Sequence, residues 1–139
     1  VTPSPHRTPI RVLYGDVDPM KRAYYGQYLR WFEIGRAEFM RARGLPYAAL
    51  ESEGFFLPVG EAYCKYLKAI TYDELIAIET WPDPIRRVSV RFNYRILGEE
   101  DDEKAHGYTL HACLDARGTV VRLPAFLLEV LEEPGNAGR

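Results

Sequence analysis

The sequence predicts an α+β fold, an antiparallel sheet of five or six strands curled around one long central helix. A short strand and a long apolar helix open the chain, and most of the remaining residues alternate with a period of two. Successive strands joined by short connections favour antiparallel pairing, because parallel neighbours need a long crossover. The helix is apolar over too wide an arc to lie on a protein's edge, so it should be wrapped by the sheet's concave face.

Taken in order, Val1–Pro9 is polar and Pro-rich and is expected to be a flexible tail. Ile10 to Tyr14 alternates as a strand, with Ile10, Val12 and Tyr14 on one face. Gly15-Asp16-Val17-Asp18-Pro19 is a turn-rich break. From about Gly26 to Arg43 the spacing becomes helical: Tyr28, Leu29, Phe32, Phe39 and Met40 recur three and four apart, and Trp31, Ile34 and Ala37 widen the apolar surface. Gly44 and Pro46 should stop that helix. A short helical piece, Tyr47–Glu53, leads into candidate strands at Phe56–Lys68, Leu75–Trp81, Val88–Leu97 and Lys104–Leu114. Thr119–Leu123 reads as a short partner strand across an Asp115-Ala116-Arg117-Gly118 turn. Pro124 suits the first position of a last helix ending near Glu132, and Glu133–Arg139 is expected to be a second tail. Residues 10–132 thus form one expected domain.

The 139 residues suit a single domain, and 47% hydrophobic content supplies a core for it. A formal net charge of −2 gives no bulk positive field for nucleic acid. No apolar run approaches the ~20 residues that span a bilayer, and the first residues lack the apolar centre of a signal peptide. Cys64 and Cys113 lie far apart and read as reduced thiols, so a cytoplasmic location is expected, with no nucleic-acid or membrane partner. The cysteines and histidines do not fall at the paired spacings of a zinc site. The acidic run within Gly98–Glu103 reads as a solvated hairpin loop rather than a metal site. His106 and His111 are five apart and should face opposite sides of one strand. Tyr63, Tyr66, Tyr94 and Tyr108 read mainly as sheet core.

The segment from Tyr14 to Glu33 places carboxylates after a strand and before a helix. The first N–H groups of a helix lack internal partners and carry the positive end of its dipole, so they can hold an oxyanion. An ionised carboxylate beside them can activate water or attack directly. An aspartate before a helix also serves as a cap or turn-former, and both roles are open for Asp18 from spacing alone. Asp16 is expected to hydrogen-bond the turn.

This segment resembles the 4-hydroxybenzoyl-CoA thioesterase-like branch of the hotdog-fold superfamily. The likeness rests on Tyr14-Gly15-Asp16-Val17-Asp18-Pro19, on Tyr24-Tyr25 with Tyr28, and on the helix start Leu29-Arg30-Trp31-Phe32-Glu33. Gly44-Leu45-Pro46-Tyr47, Phe55–Val59, Tyr72–Leu75, Ala105–Tyr108 and Arg122-Leu123-Pro124 come after it as landmarks in the same order. The resemblance implies an acyl-CoA thioesterase acting on a small acyl- or aroyl-CoA, with Asp18 as catalytic base or nucleophile and the Tyr25 backbone N–H polarising the thioester carbonyl. It also implies a site at a dimer interface, dimers pairing into a homotetramer, and no cofactor beyond the coenzyme A of the substrate. Lys21 departs from the family's usual Gly, Tyr25 from the His of many members, and Gln27 from the usual Asn. A glycine at position 21 would allow a positive φ or a close backbone approach.

Arg86, Arg87 and Arg122 lie near strand ends and are candidates for the phosphates of coenzyme A, to which a guanidinium offers a fork of donors. They are also what solvated surface arginines look like. In a dimer they could serve the neighbouring subunit's pocket. A non-catalytic acyl-CoA-binding sensor or carrier on the same fold is the alternative function, and the carboxylate at position 18 counts against it. A dehydratase of the same fold would need a His-bearing motif that the sequence lacks.

Overall fold

The long apolar segment folds as α1 (Gln27–Ala42), a helix of roughly 24 Å by its length, and stops ahead of Gly44 and Pro46 as expected. In the computed structural model, which describes residues 5–132, Tyr28, Trp31, Phe32, Gly35, Phe39 and Met40 turn one broad face of α1 inward. That face meets a five-stranded sheet: β1 (His6–Arg11), β2 (Val59–Tyr66), β3 (Leu75–Pro82), β4 (Ser89–Leu97) and β5 (Glu103–Ala112). The spatial order is β1-β3-β4-β5-β2, with every pair antiparallel. Two short helices, α2 (Tyr47–Ser52) and α3 (Ala125–Glu132), complete the element order.

Alternation along β4 buries Val90, Phe92, Tyr94 and Ile96 beneath the helix and leaves Arg91, Asn93 and Arg95 half-buried on the other face. Phe32 lies flat on Tyr94, ring centroids 4.3 Å apart and planes 5° apart, and Phe39 meets Phe92 edge-on at 5.8 Å. Gly35 lets α1 come this close: a Cβ there would stand 2.6 Å from Thr80 Oγ1 and 2.7 Å from Ile78 Cγ2.

One polar chain crosses this core. His111, fully buried, places Nδ1 2.8 Å from the Leu57 carbonyl and Nε2 2.8 Å from Thr109 Oγ1. A carbonyl only accepts, so Nδ1 carries the proton and neutral Nε2 accepts from the Thr109 hydroxyl. Thr109 Oγ1 then accepts from Tyr94 OH at 2.6 Å, and Tyr94 OH accepts from Arg36 Nη1 at 3.5 Å. Burial lowers the His111 pKa to about 4, and the positive Arg36 also disfavours protonation.

The structure differs from the expected elements in four places. The first strand begins at His6, so residues 6–9 of the expected tail pair with β3, His6 opposite Thr80 and Pro9 opposite Ala77. β1 is an edge strand, where the missing N–H of Pro9 is tolerated. The strand also ends early: Val12 is buried, but Tyr14 opens a 3₁₀ turn (Tyr14–Asp16) and is 77% exposed. Phe56–Lys68 narrows to Val59–Tyr66, with a register shift between Val59 and Glu61. Thr119–Leu123 forms no strand; Val120 makes only an isolated bridge to Leu114, although Gly118 N–H closes the expected turn on Asp115 O. Of the four tyrosines expected in the core, only Tyr94 is buried; Tyr63 and Tyr66 are exposed and Tyr108 is half-buried. β2 is the other edge, and Tyr63 and Tyr108 stack on the face away from α1. Residues 1–4 of the expected first tail and 133–139 of the second lie outside the described residues.

Candidate active site

The chain between β1 and α1 folds back on itself at one end of the sheet. Val17 bridges Ala23, Arg22 bridges Thr71, and Ala23 N–H donates to Ile70 O at 2.8 Å. The loop is therefore anchored to the connection between β2 and β3. At its tip Lys21 N–H donates to Asp18 O, and Asp18 N–H to Arg22 O, both at 2.8 Å. A residue following such a turn takes the left-handed conformation, and Lys21 does so with φ 63°. The conformation that glycine supplies at this position is present, adopted by a lysine at a strain of about 1 kcal/mol.

The two aspartates divide the work of this loop. Asp16 is 6% exposed, and its Oδ2 accepts the Leu13 N–H at 2.7 Å, the turn-forming role expected of it. Asp18 is half-buried, with Oδ1 accepting Met20 N–H at 2.8 Å and Arg22 N–H at 3.4 Å. The bond to Met20 is the two-residue side-chain turn common for aspartate. Among the described residues Asp18 Oδ2 takes no hydrogen bond, so one oxygen holds the loop and the other is without a partner.

Tyr24, Tyr25 and Gly26 lead into α1. Tyr24 N–H donates to Asp16 O at 3.0 Å and Gln27 N–H to Tyr24 O at 2.9 Å. Among the described residues the N–H groups of Tyr25 and Gly26 have no hydrogen-bond partner. The Tyr25 carbonyl accepts from Tyr28 N–H at 3.4 Å and from the Tyr66 hydroxyl at 3.0 Å. Two unpartnered donors ahead of a helix, in the same loop as a carboxylate with one free oxygen, are components that attack on a carbonyl group would use.

Tyr14, Met20, Tyr24, Tyr25, Leu67 and Tyr72 remain exposed around this loop. Tyr14 meets Tyr72 edge-on at 5.7 Å, and the rings of Tyr24 and Tyr25 are 4.6 Å apart. So much uncovered apolar surface at one place marks a binding or association surface.

The expected phosphate-binding arginines are elsewhere. Arg86 and Arg87 come after β3, whereas the Asp18 loop joins the chain just before β3 begins, so the eight-residue strand separates them by about 25 Å. Leu123 N–H donates to Arg87 O at 3.0 Å, which sets Arg122 beside Arg87. All three arginines are exposed, and among the described residues none joins an ion pair. Within one chain Asp18 and Tyr25 belong to one loop, and Arg87 and Arg122 to two adjoining backbone segments away from it.

The histidines, acidic residues and cysteines fall into structural roles. His106 and His111 face opposite sides of β5, as their spacing requires. No cluster of three or more His, Cys, Asp or Glu among the described residues could hold a metal ion. The acidic hairpin is tied down by ion pairs: Lys104 Nζ lies 3.4 Å from Asp102 and 3.5 Å from Glu74. Cys64 and Cys113 are free thiols. No described helix is long and apolar enough to cross a membrane. Tyr66, whose hydroxyl reaches the Tyr25 carbonyl, is the residue at this loop that sequence reasoning misses. Alternation assigns it to the core, although its inward register on an edge strand beside the helix start is the available signal.

Both the sequence and the fold have known relatives. Residues 12–131 match the family model of the thioesterase-like superfamily. Acyl-CoA thioester hydrolase YbgC of Escherichia coli O157:H7 is 28% identical over 78% of this chain and 81% of its own length. A solved structure of a hypothetical protein from Aquifex aeolicus superposes with a TM-score of 0.88 at 30% identity, over 92% of this chain and 100% of the other. The DHNA-CoA thioesterase of Staphylococcus aureus gives 0.79 at 28% identity, over 86% and 79%. The sheet wrapped around α1 is the hotdog fold of these thioesterases, and the chain belongs to the thioesterase-like superfamily.

Proposed function

We propose that this chain is an acyl-CoA thioesterase, hydrolysing a small acyl- or aroyl-CoA to the free acid and coenzyme A. The observation that carries the reading is the presence in one loop of a half-engaged carboxylate, Asp18, and of the unpartnered N–H groups of Tyr25 and Gly26, in a chain of the thioesterase-like superfamily. A thioester carbonyl carbon has two needs at this place: a nucleophile on its face and donors for the negative charge that grows on its oxygen. In the base-catalysed route Asp18 Oδ2 takes a proton from water as that water adds to the carbonyl. The tetrahedral oxyanion sits against the Tyr25 and Gly26 amides. Its collapse breaks the C–S bond, and the departing thiolate recovers the proton. In the nucleophilic route Asp18 Oδ2 adds to the carbonyl, and the C–S bond breaks to release the coenzyme A thiolate and leave a mixed anhydride. Water then cleaves that anhydride to the free acid and the Asp18 carboxylate, the proton released going to the thiolate.

The phosphates of coenzyme A are assigned to Arg86, Arg87 and Arg122. Their exposure, the adjacency of the Arg87 and Arg122 backbone and their freedom from ion pairs among the described residues support this, and their distance from Asp18 suits action on the pocket of a second subunit. A homo-oligomer with its site at the subunit interface, a dimer or a homotetramer of paired dimers, is part of the same proposal. The uncovered apolar side chains around the Asp18 loop and the unpaired outer edge of β2 support it. A cytoplasmic location fits the two free thiols.

The test is turnover of acetyl-, butyryl-, palmitoyl- and benzoyl-CoA, followed with a thiol-reactive dye, for wild type and Asp18→Asn. Hydrolysis by wild type and its loss in Asp18→Asn, with coenzyme A binding kept, supports the reading. Tight binding without turnover of any of the four would instead indicate the sensor.

A further inference from the structure

We propose that Tyr66 is a positioning residue for the oxyanion site, its hydroxyl fixing the Tyr25–Gly26 peptide so that the Gly26 N–H points at the reacting carbonyl. The inference rests on the assignment of Asp18 and the Tyr25–Gly26 amides made above. Tyr66 is 46% exposed on the outer strand β2, where water would satisfy a phenol. Its hydroxyl instead reaches a segment 41 residues away and donates to the Tyr25 carbonyl at 3.0 Å. That carbonyl has one other donor among the described residues, the Tyr28 N–H, at the longer distance of 3.4 Å. The Tyr66 ring stands edge-on to Tyr28 with centroids 4.7 Å apart, which sets the direction from which the hydroxyl arrives.

The planarity of the amide carries this contact to the oxyanion site. The Tyr25 carbonyl and the Gly26 N–H are opposite ends of one rigid unit, so holding the oxygen orients the hydrogen. A donor on the carbonyl also polarises the amide and strengthens its N–H as a donor in turn. Tyr24 closes the peptide from another side: a Cβ on Gly26 would stand 2.7 Å from Tyr24 Cε2, so a side chain here would have to displace that ring. Partial burial and the neighbouring Cys64 raise the Tyr66 pKa, which keeps the phenol protonated and donating.

The experiment compares Tyr66→Phe, Tyr63→Phe and Asp18→Asn with wild type, on whichever of the four acyl-CoAs wild type turns over fastest. Tyr66→Phe keeps the ring on Tyr28 and removes only the hydroxyl. Tyr63→Phe removes a hydroxyl elsewhere on the same strand, from a ring stacked on Tyr108. For Tyr66→Phe the expected result is a kcat lower by about five- to tenfold, with KM and coenzyme A affinity unchanged and the melting temperature lowered by no more than the few degrees that the loss of one exposed hydrogen bond brings. Tyr63→Phe should match wild type. Wild-type kcat in Tyr66→Phe, a change confined to KM, a protein largely unfolded at the assay temperature, or an equal loss in Tyr63→Phe would each overturn the positioning role. Retained turnover in Asp18→Asn would overturn the underlying site assignment instead, so the two failures are distinct.

Discussion

His111 Nδ1 donates to the carbonyl oxygen of Leu57 at 2.8 Å, and this bond sets the direction of every hydrogen bond in the buried chain back to Arg36. Protonating Nε2 would aim a donor at the Thr109 hydroxyl, which already donates there. The folded protein therefore holds His111 neutral, with its pKa lowered to about 4 from 6.5. Because the folded value is the lower one, the unfolded chain binds the extra proton first as pH falls. Stability should be full above about pH 6.5 and decline toward pH 4, by up to about 3 kcal/mol from this residue. Urea midpoints between pH 7 and pH 4.5 measure it, and flat midpoints across that window would contradict the assigned tautomer.

Asp16 and Asp18 should separate cleanly on substitution. Asp16→Ala leaves the Leu13 N–H without its acceptor and should lower stability by roughly 1–3 kcal/mol. Asp18→Asn keeps an oxygen for the Met20 N–H and removes the charge, so folding should be nearly unchanged while kcat falls about a hundredfold or more. Thermal unfolding and single-substrate kinetics on both variants decide the matter.

Lys21 offers a test of backbone strain. Lys21→Gly relieves the left-handed strain but loosens the unfolded chain, so stability should rise by no more than about 1 kcal/mol. Lys21→Ile puts a β-branched residue at the same φ and should be destabilised instead. Melting temperatures falling in the order Gly, Lys, Ile are expected.

Close approach of helix and sheet makes position 35 intolerant. Gly35→Ala presses a methyl group against Thr80 and Ile78 and should cost about 1–3 kcal/mol. Denaturant titration measures this directly, and a neutral result would mean that α1 shifts freely on β3.

Mixed oligomers test whether sites span two subunits. Asp18→Asn and Arg87→Gln proteins should each be impaired, the first in kcat and the second mainly in KM. Co-expressed, they can form one site combining an intact Asp18 with the other subunit's intact arginine at position 87. Half of randomly assembled dimers are mixed and each has one intact site of two, so recovery of about a quarter of wild-type activity is expected. Strictly additive activities of the two parents would place both residues in one chain's site or deny Arg87 a role.

Much of this fold is legible in the residues because burial on one face writes itself into the sequence. β4 alternates strictly, and α1 shows its inward face through Tyr28, Phe32 and Phe39. Period alone does not say which face is covered, and for that reason it assigns Tyr63 and Tyr108 to the core while they lie on the uncovered side. Pro9 reads as part of a tail because its tolerance depends on being at an edge, a property of the assembled sheet. Asp18 and Tyr25 are legible through the motif they share. The bond from Tyr66 to Tyr25 and the meeting of Arg87 with Arg122 join distant parts of the chain, and no local pattern encodes them.

The small hairpin closed by Val17 and Ala23 gives the Asp18 carboxylate its direction through bonds that exist before any ligand arrives. Alignment is thus a by-product of folding, and little reorientation is left for the encounter with substrate. Loosening the anchor at Ile70 should then reveal itself as a blunted reaction in a protein that still captures its ligand, an enzyme turned into a receptor.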